Sequence, residues 1–166
     1  MEKIRKRMIC FTPAVSGDEK AISALRRIVW AETYRGVYPD EAIDGYCGAW
    51  HEKRDLERIL DPAHEVFIIK DGEMPVGYFS FVHNEKIHIS SLYVLKEYKG
   101  MGAGRTAFSI VRDYCLNNGF SSFTVNCNEH NLPARAFYVH LGGKIVSVDA
   151  GHKNKREDQV TYLFIV

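Results

Sequence analysis

Residues 92–105 read Leu92-Tyr93-Val94-Leu95-Lys96-Glu97-Tyr98-Lys99-Gly100-Met101-Gly102-Ala103-Gly104-Arg105. A strand-like apolar run enters a turn with glycine at every second position, and a long helical pattern follows. No other segment restricts the fold as much. Glycine lets the backbone adopt left-handed conformations and approach an anion closely. The first turn of a helix offers unpaired N–H groups and a partial positive charge. Lys99 and Arg105 flank the turn and add full charges. By its physics this is a pyrophosphate cradle, and an ordinary turn is a poor account of three alternate glycines at a strand-to-helix junction. A P-loop would need G-x-x-x-x-G-K-[ST], which is missing. Gly102 to Ala107 satisfies G-x-G-x-x-A, the dinucleotide fingerprint, but that match is weak alone. The next strand ends at Asn126-Cys127-Asn128 without the expected acid, and there is only one strand-helix-strand unit where a nucleotide-binding oxidoreductase needs more.

The elements around this turn follow from periodicity. Met8 to Phe11 reads as a strand behind the basic lead-in Lys3, Arg5, Lys6 and Arg7. Ser16-Gly17-Asp18-Glu19 resembles a capping box with Ser16 as N-cap. Ile22, Leu25, Ile28 and Val29 then mark a helix to about Tyr34. Asp40 is placed to cap a short helix over Glu41 to Tyr46, and a third helix spans Trp50 to Leu60, stopping at Asp61-Pro62. Val66 to Lys70 and Val76 to Val82 form a hairpin about Asp71-Gly72-Glu73. In the strand Ile87, Ile89, Leu92, Val94 the alternation slips between Ile89 and Leu92, as a bulge makes it do. Ala107, Phe108, Ile110, Val111, Tyr114 and Cys115 form the inner side of the long helix, which ends at Asn117-Asn118-Gly119. Phe123 to Cys127 is a strand. Asn131 caps a helix with Pro133 in its first turn, Gly142-Gly143 ends it, and Ile145 to Val148 and Val160 to Val166 are closing strands. The order β-α-α-α-β-β-β-α-β-α-β-β predicts a mixed α/β (α+β) fold, a mixed sheet flanked by helices.

Composition narrows the function classes. The 166 residues suit one domain, residues 1–166. A net charge of +1 gives no concentrated basic face for nucleic acid, and no apolar stretch reaches membrane-spanning length. No signal peptide is recognisable, so a cytoplasmic protein is expected. Cys10, Cys47, Cys115 and Cys127 are dispersed, with no CxxC and no close histidine pairing, so neither a disulfide framework nor a metal is expected.

Lys99-Gly100-Met101-Gly102-Ala103-Gly104, following Leu92-Tyr93-Val94, resembles motif A of the GNAT (GCN5-related N-acetyltransferase) superfamily, [RQ]-x-x-G-x-[GA], with lysine at the first position. Asn131-Leu132-Pro133-Ala134-Arg135-Ala136-Phe137-Tyr138, then Leu141-Gly142, is similar to the family's N-x-x-A-x-x-F-Y…L-G-F, with Gly143 in place of the final phenylalanine. Tyr34 to Glu41 resembles the family's first inter-helix segment. The resemblance implies a GNAT-type acyl-CoA N-acyltransferase fold, a mostly antiparallel sheet splayed between two parallel strands. It implies an N-acetyltransferase that takes the acetyl group of acetyl-CoA to a primary amine by direct attack through a tetrahedral intermediate, the acceptor being a small amine, a polyamine or a protein amine.

The resemblance also implies roles. Backbone groups of Leu92 and Val94 would pair with the pantetheine arm. Lys99, Gly100, Met101, Gly102, Ala103, Gly104 and Arg105 would hold the pyrophosphate, with Asn131 also at the cofactor. A backbone N–H near Tyr93 or Val94 would face the oxyanion, and Tyr138 would be the general acid. The glutamate that many relatives carry before L-Y-V is absent from Lys86-Ile87-His88-Ile89-Ser90-Ser91. His88 is either a proton relay or a partly exposed strand histidine. Glu32, Tyr34, Tyr38, Asp40 and Glu41 fall in the family's acceptor wall, where carboxylates would hold a cationic amine unless they form a solvated face. A CoA-binding sensor or partner module without catalysis is the alternative. Many relatives dimerise, and no exposed apolar stripe is visible in the sequence.

Overall fold

The computed structural model describes residues 6–166; Lys3 and Arg5 lie outside them. The elements are β1 (Ile9–Pro13), α1 (Glu19–Tyr34), α2 (Asp40–Asp44), α3 (Ala49–Leu60), β2 (His64–Asp71), β3 (Met74–His83), β4 (Ile87–Val94), α4 (Ala103–Asn118), β5 (Ser122–Asn128), α5 (Leu132–His140), β6 (Lys144–Asp149) and β7 (Gln159–Ile165). They form one seven-stranded sheet in the order β1-β2-β3-β4-β5-β7-β6. Every neighbouring pair is antiparallel except β4 and β5, which run parallel and are joined by the α4 crossover. Among the described residues β4 and β5 are the one pair of adjacent strands that run parallel, so the sheet is not the doubly wound parallel sheet of a dinucleotide-binding fold.

The helices cover both faces. On one, α4 and α5 bury Ala107, Phe108, Val111, Cys115 and Tyr138 against Phe79, Phe81, Phe123 and Phe164. On the other, α1 lays Ile22 and Leu25 on Ile68 and Tyr78. Each fully buried aliphatic or aromatic side chain contributes about 1.5–3 kcal/mol. α1 is further tied to α3 by Arg26, whose Nη2 donates to both Asp55 oxygens at 2.6 and 2.8 Å while Nε donates to the Tyr78 hydroxyl at 3.2 Å.

Two local expectations are corrected. The capping box is displaced. Gly17 turns the chain with φ 107°, so α1 starts at Glu19 and Asp18 rather than Ser16 stands at its N-cap; Glu19 still reaches back, its carboxylate accepting from Gly17 N–H at 2.7 Å, while Asp18 accepts from Val15 N–H at 2.9 Å. Asp40 is the first residue of α2 and not its cap, because Pro39 leads in and Arg35 holds the Asp40 carboxylate at 2.9 Å. The aromatic missing at Gly143 is supplied from β7: a Cβ there would stand 2.6 Å from the Phe164 ring. The edge strand β6 exposes Ile145, Val146 and Val148, an apolar stripe that the sequence did not reveal.

Candidate active site

The site grows from a defect in β4. Ser80 pairs with Ser91 but Phe81 pairs with Ile89, so Ser90 is the extra residue of a bulge. A bulge raises local twist and bends its strand. On its other side β4 pairs with β5 only at Ile87–Phe123, His88–Thr124 and Ile89–Val125. Beyond that point the two strands part, and a cavity of about 1040 Å³ opens between them. Gly77 on β3 supports the bend from behind, for a Cβ there would strike the Tyr93 carbonyl oxygen and lie 3.2 Å from Val94 Cα.

Leu92, Tyr93 and Val94 form one wall of this wedge, and His88 also borders it. Lys99, Gly100, Gly102, Ala103, Gly104 and Arg105 stand around its mouth. Met101 is the predicted member that does not border the cavity; its side chain packs against the core. Gly100 and Gly102 adopt φ 78° and 85°, and open space surrounds both, so the left-handed backbone is what requires glycine there. Gly104 is different. It is helical, and a Cβ would run into the Phe137 ring, so the third glycine serves the close approach of α5 to α4. Among the described residues, the N–H groups of 100–105 have no acceptor within the chain. A row of unspent donors at a helix start, beside the exposed Lys99, fits a pyrophosphate in size and sign. Arg105 donates to His140 Nε2 at 2.9 Å.

The opposite wall comes from β5 and α5. Asn131 caps α5, accepting from Ala134 N–H at 3.3 Å, and its Nδ2 donates to the Tyr34 hydroxyl at 3.4 Å. Tyr138 is buried among Phe108, Phe137 and Tyr162 and borders the cavity, and its hydroxyl has no hydrogen-bond partner among the described residues. Burial, with Cys127 and Tyr93 nearby, holds this phenol well above its ordinary range. It is therefore a proton donor and not a base at neutral pH. Burial also pushes the Cys127 thiol up to about 11, so it stays protonated and weakly nucleophilic. His88 Nδ1 meets Thr124 Oγ1 at 2.8 Å, and burial lowers the imidazole below its usual value, so it is neutral and able to accept a proton.

The far end of the cavity is aromatic. Trp30 stacks on Tyr46 with ring centres 3.6 Å apart, Tyr34 stacks on Tyr38 at 4.3 Å, and Trp30 Nε1 donates to the Tyr93 hydroxyl at 3.5 Å. The carboxylates expected here do not arrive. Glu32 accepts from Lys96 N–H on the surface, Asp40 is held by Arg35, and Glu41 is exposed; none of the three borders the cavity. Among the described residues Glu157 is the sole carboxylate that does. Sequence reasoning missed Gly77, Trp30, Tyr46 and Arg156. The four-residue spacing of Trp30 and Tyr34 was a usable helical signal, whereas Arg156 sits in a polar loop with no pattern. A cluster of Glu129, His130 and Asp158 has metal-ligating residue types, but it is an interlocked clasp: His130 Nε2 and His152 Nδ1 each meet Asp158 at 2.9 Å, holding its carboxyl down at about 2.

Comparison with known proteins places these features in context. Residues 22–142 match the family described as Acetyltransferase (GNAT) family. Tyramine N-feruloyltransferase 4/11 of Nicotiana tabacum is 31% identical over 85 residues, 51% of this chain and 38% of that protein. Thialysine N-epsilon-acetyltransferase of Mus musculus is 27% identical over 86 residues, 48% of this chain and 51% of that protein. The chain thus aligns with about half or less of the length of these curated relatives. The crystal structure of PaiA N-acetyltransferase from Thermoplasma acidophilum in complex with coenzyme A superposes with a TM-score of 0.81 at 17% identity, covering 96% of this chain and 99% of that one. That likeness shows a shared fold.

Proposed function

The chain belongs to the acetyltransferase (GNAT) family, and from that premise we propose that residues 1–166 form one cytoplasmic N-acetyltransferase domain that moves the acetyl group of acetyl-CoA onto a primary amine by direct attack. One observation carries the reading: the N–H groups of residues 100–105 stand unspent at the mouth of a wedge bordered by an unbonded, protonated Tyr138. The bound coenzyme A of the Thermoplasma structure and the amine acceptors named for the tobacco and mouse relatives support it.

The thioester supplies an activated acyl carbon; the remaining work falls to this chain. The N–H groups of the glycine turn, Met101 included, and the cations Lys99 and Arg105 would hold the pyrophosphate, while backbone groups of Leu92 and Val94 on the β5 side, where β4 has no strand partner past Ile89, would align the pantetheine arm. Asn131 would support the cofactor from the α5 side. An N–H near Tyr93 or Val94 would face the carbonyl oxygen as it gains charge. His88, neutral and bordering the wedge, would take the proton that the amine must lose, directly or through water. The acceptor nitrogen would bond to the acyl carbon to give a tetrahedral oxyanion; as that intermediate collapses the carbon–sulfur bond breaks, and Tyr138 would deliver its proton to the departing sulfur. The protonated Cys127 argues against an acyl-cysteine route.

Calorimetric titration with acetyl-CoA, with CoA and NADH as comparisons, followed by thiol-release assays over primary amines, tests this. Selective binding of acetyl-CoA with amine-dependent thiol release is expected; no binding of acetyl-CoA would overturn it. A CoA-binding module without turnover is the second reading, favoured by the single, exposed carboxylate at the cavity. Binding without thiol release for any amine would establish that reading instead.

A further inference from the structure

Arg156 lies in the β6–β7 connection, in a 3-10 turn over Lys155–Glu157. Its backbone is tied on several sides. Arg156 N–H donates to Asn154 Oδ1 at 3.1 Å, its carbonyl accepts from Gln159 Nε2 at 3.0 Å, and the adjoining Lys155 carbonyl accepts from Asn128 Nδ2 at 2.8 Å. The Asp158 clasp, with His130 and His152, fixes the end of the same turn. The backbone that carries the guanidinium is therefore held in place. Its carbon lies 5.2 Å from the Trp30 ring centre and 5.4 Å from that of Tyr46.

Its charge has no partner. Among the described residues, no carboxylate stands within ion-pair distance of Arg156, and its guanidinium makes no hydrogen bond, although it is half-buried. By contrast Arg26 is paired with Asp55, and Arg35 with Asp40 and Asp44. Arg156 borders the same cavity as Tyr93 and Tyr138, where it rests against the aromatic wall formed by Trp30 and Tyr46. A planar fork of donors resting on aromatic rings is suited to bind a carboxylate through two parallel N–H···O bonds. The same charge repels a polyamine.

We propose, resting on the acetyltransferase reading above, that Arg156 is the anion-recognising residue of the acceptor pocket, and that the acceptor is a primary amine carrying a carboxylate on a flat, apolar body, as in aromatic amino acids. The aromatic walls take the body, Arg156 takes the carboxylate, and the amine is left to face the β4 wall.

The test compares kcat/KM for matched acceptors, L-phenylalanine and L-tyrosine against their amides and against phenethylamine and tyramine. The carboxylate-bearing member is expected to be favoured at least about tenfold. Arg156→Gln should bring that ratio within about threefold of unity, and Arg156→Lys, keeping charge but losing the fork, should fall between. Unchanged acetyl-CoA binding by calorimetry verifies that both variants are folded. If the wild type favours amides or decarboxylated amines, or if R156Q leaves the ratio intact, the carboxylate assignment is wrong while the acetyltransferase reading stands. If acetyl-CoA does not bind, that reading itself fails. If acetyl-CoA binds but no acceptor in the set turns over, calorimetry of L-phenylalanine and L-tyrosine with CoA present decides; no binding overturns the proposal.

Discussion

At the scale of single residues, two side chains should dominate the chemistry. Tyr138 is buried, protonated and free of partners. Its replacement by phenylalanine removes one oxygen and leaves the ring packing against Phe108 and Phe137 intact. Tyr138→Phe should lower kcat about a hundredfold with acetyl-CoA affinity unchanged; full turnover in the variant would remove Tyr138 as the acid. His88 has its pKa lowered by burial, so it stays neutral as pH falls to its ordinary value near 6.5 and gains a proton only below it. The predicted kcat/KM therefore holds from pH 8 down to about 6.5 and declines at lower pH. An identical acid limb in His88→Gln would show that the proton goes elsewhere. Tyr138 and the glycines were legible because fixed spacings carry them, and Gly104 was legible even though its reason, the Phe137 ring, was not. Arg156 and the stacked Trp30–Tyr46 pair were not, since nothing local distinguishes an arginine that will face a cavity from one that will face water.

At the scale of elements, the departure from ideal pairing is what makes the site. The slip in alternation near Ser90 betrayed the bulge, because side chains on a strand must alternate and a one-residue excess shifts them to the other face. Amide exchange gives a direct check. Residues 87–89 should be protected, whereas N–H groups of residues 90–94 that face β5 should exchange fast and slow markedly when acetyl-CoA is added. Equal protection along β4 without ligand would mean the strands do not part. The junction of α1 and α3 gives a second prediction. Asp55→Ala leaves Arg26 buried and uncompensated, and should cost about 3–5 kcal/mol in denaturant unfolding. A loss below about 1 kcal/mol would show that water reaches Arg26 in the variant.

At the scale of the whole molecule, ligand binding should register as stability. Acetyl-CoA at a hundredfold excess over its Kd contributes about 2.7 kcal/mol, which for a domain of this size raises Tm by roughly 5–10 °C. NADH should leave Tm unchanged, and an equal shift with both would point to non-specific anion binding. The sequence by itself determined the element order, the glycine turn, the bulge and the motif that places Tyr138, because each is written in neighbouring residues: period, cap, glycine conformation. Tertiary structure alone decided that β7 inserts between β5 and β6, that the parting of β4 from β5 begins after Ile89, and that Trp30, Tyr46 and Arg156, drawn from α1, the α2–α3 connection and the last loop, meet in one part of the cavity. Those outcomes depend on which surfaces bury each other across more than a hundred residues of chain, and no local pattern records that choice.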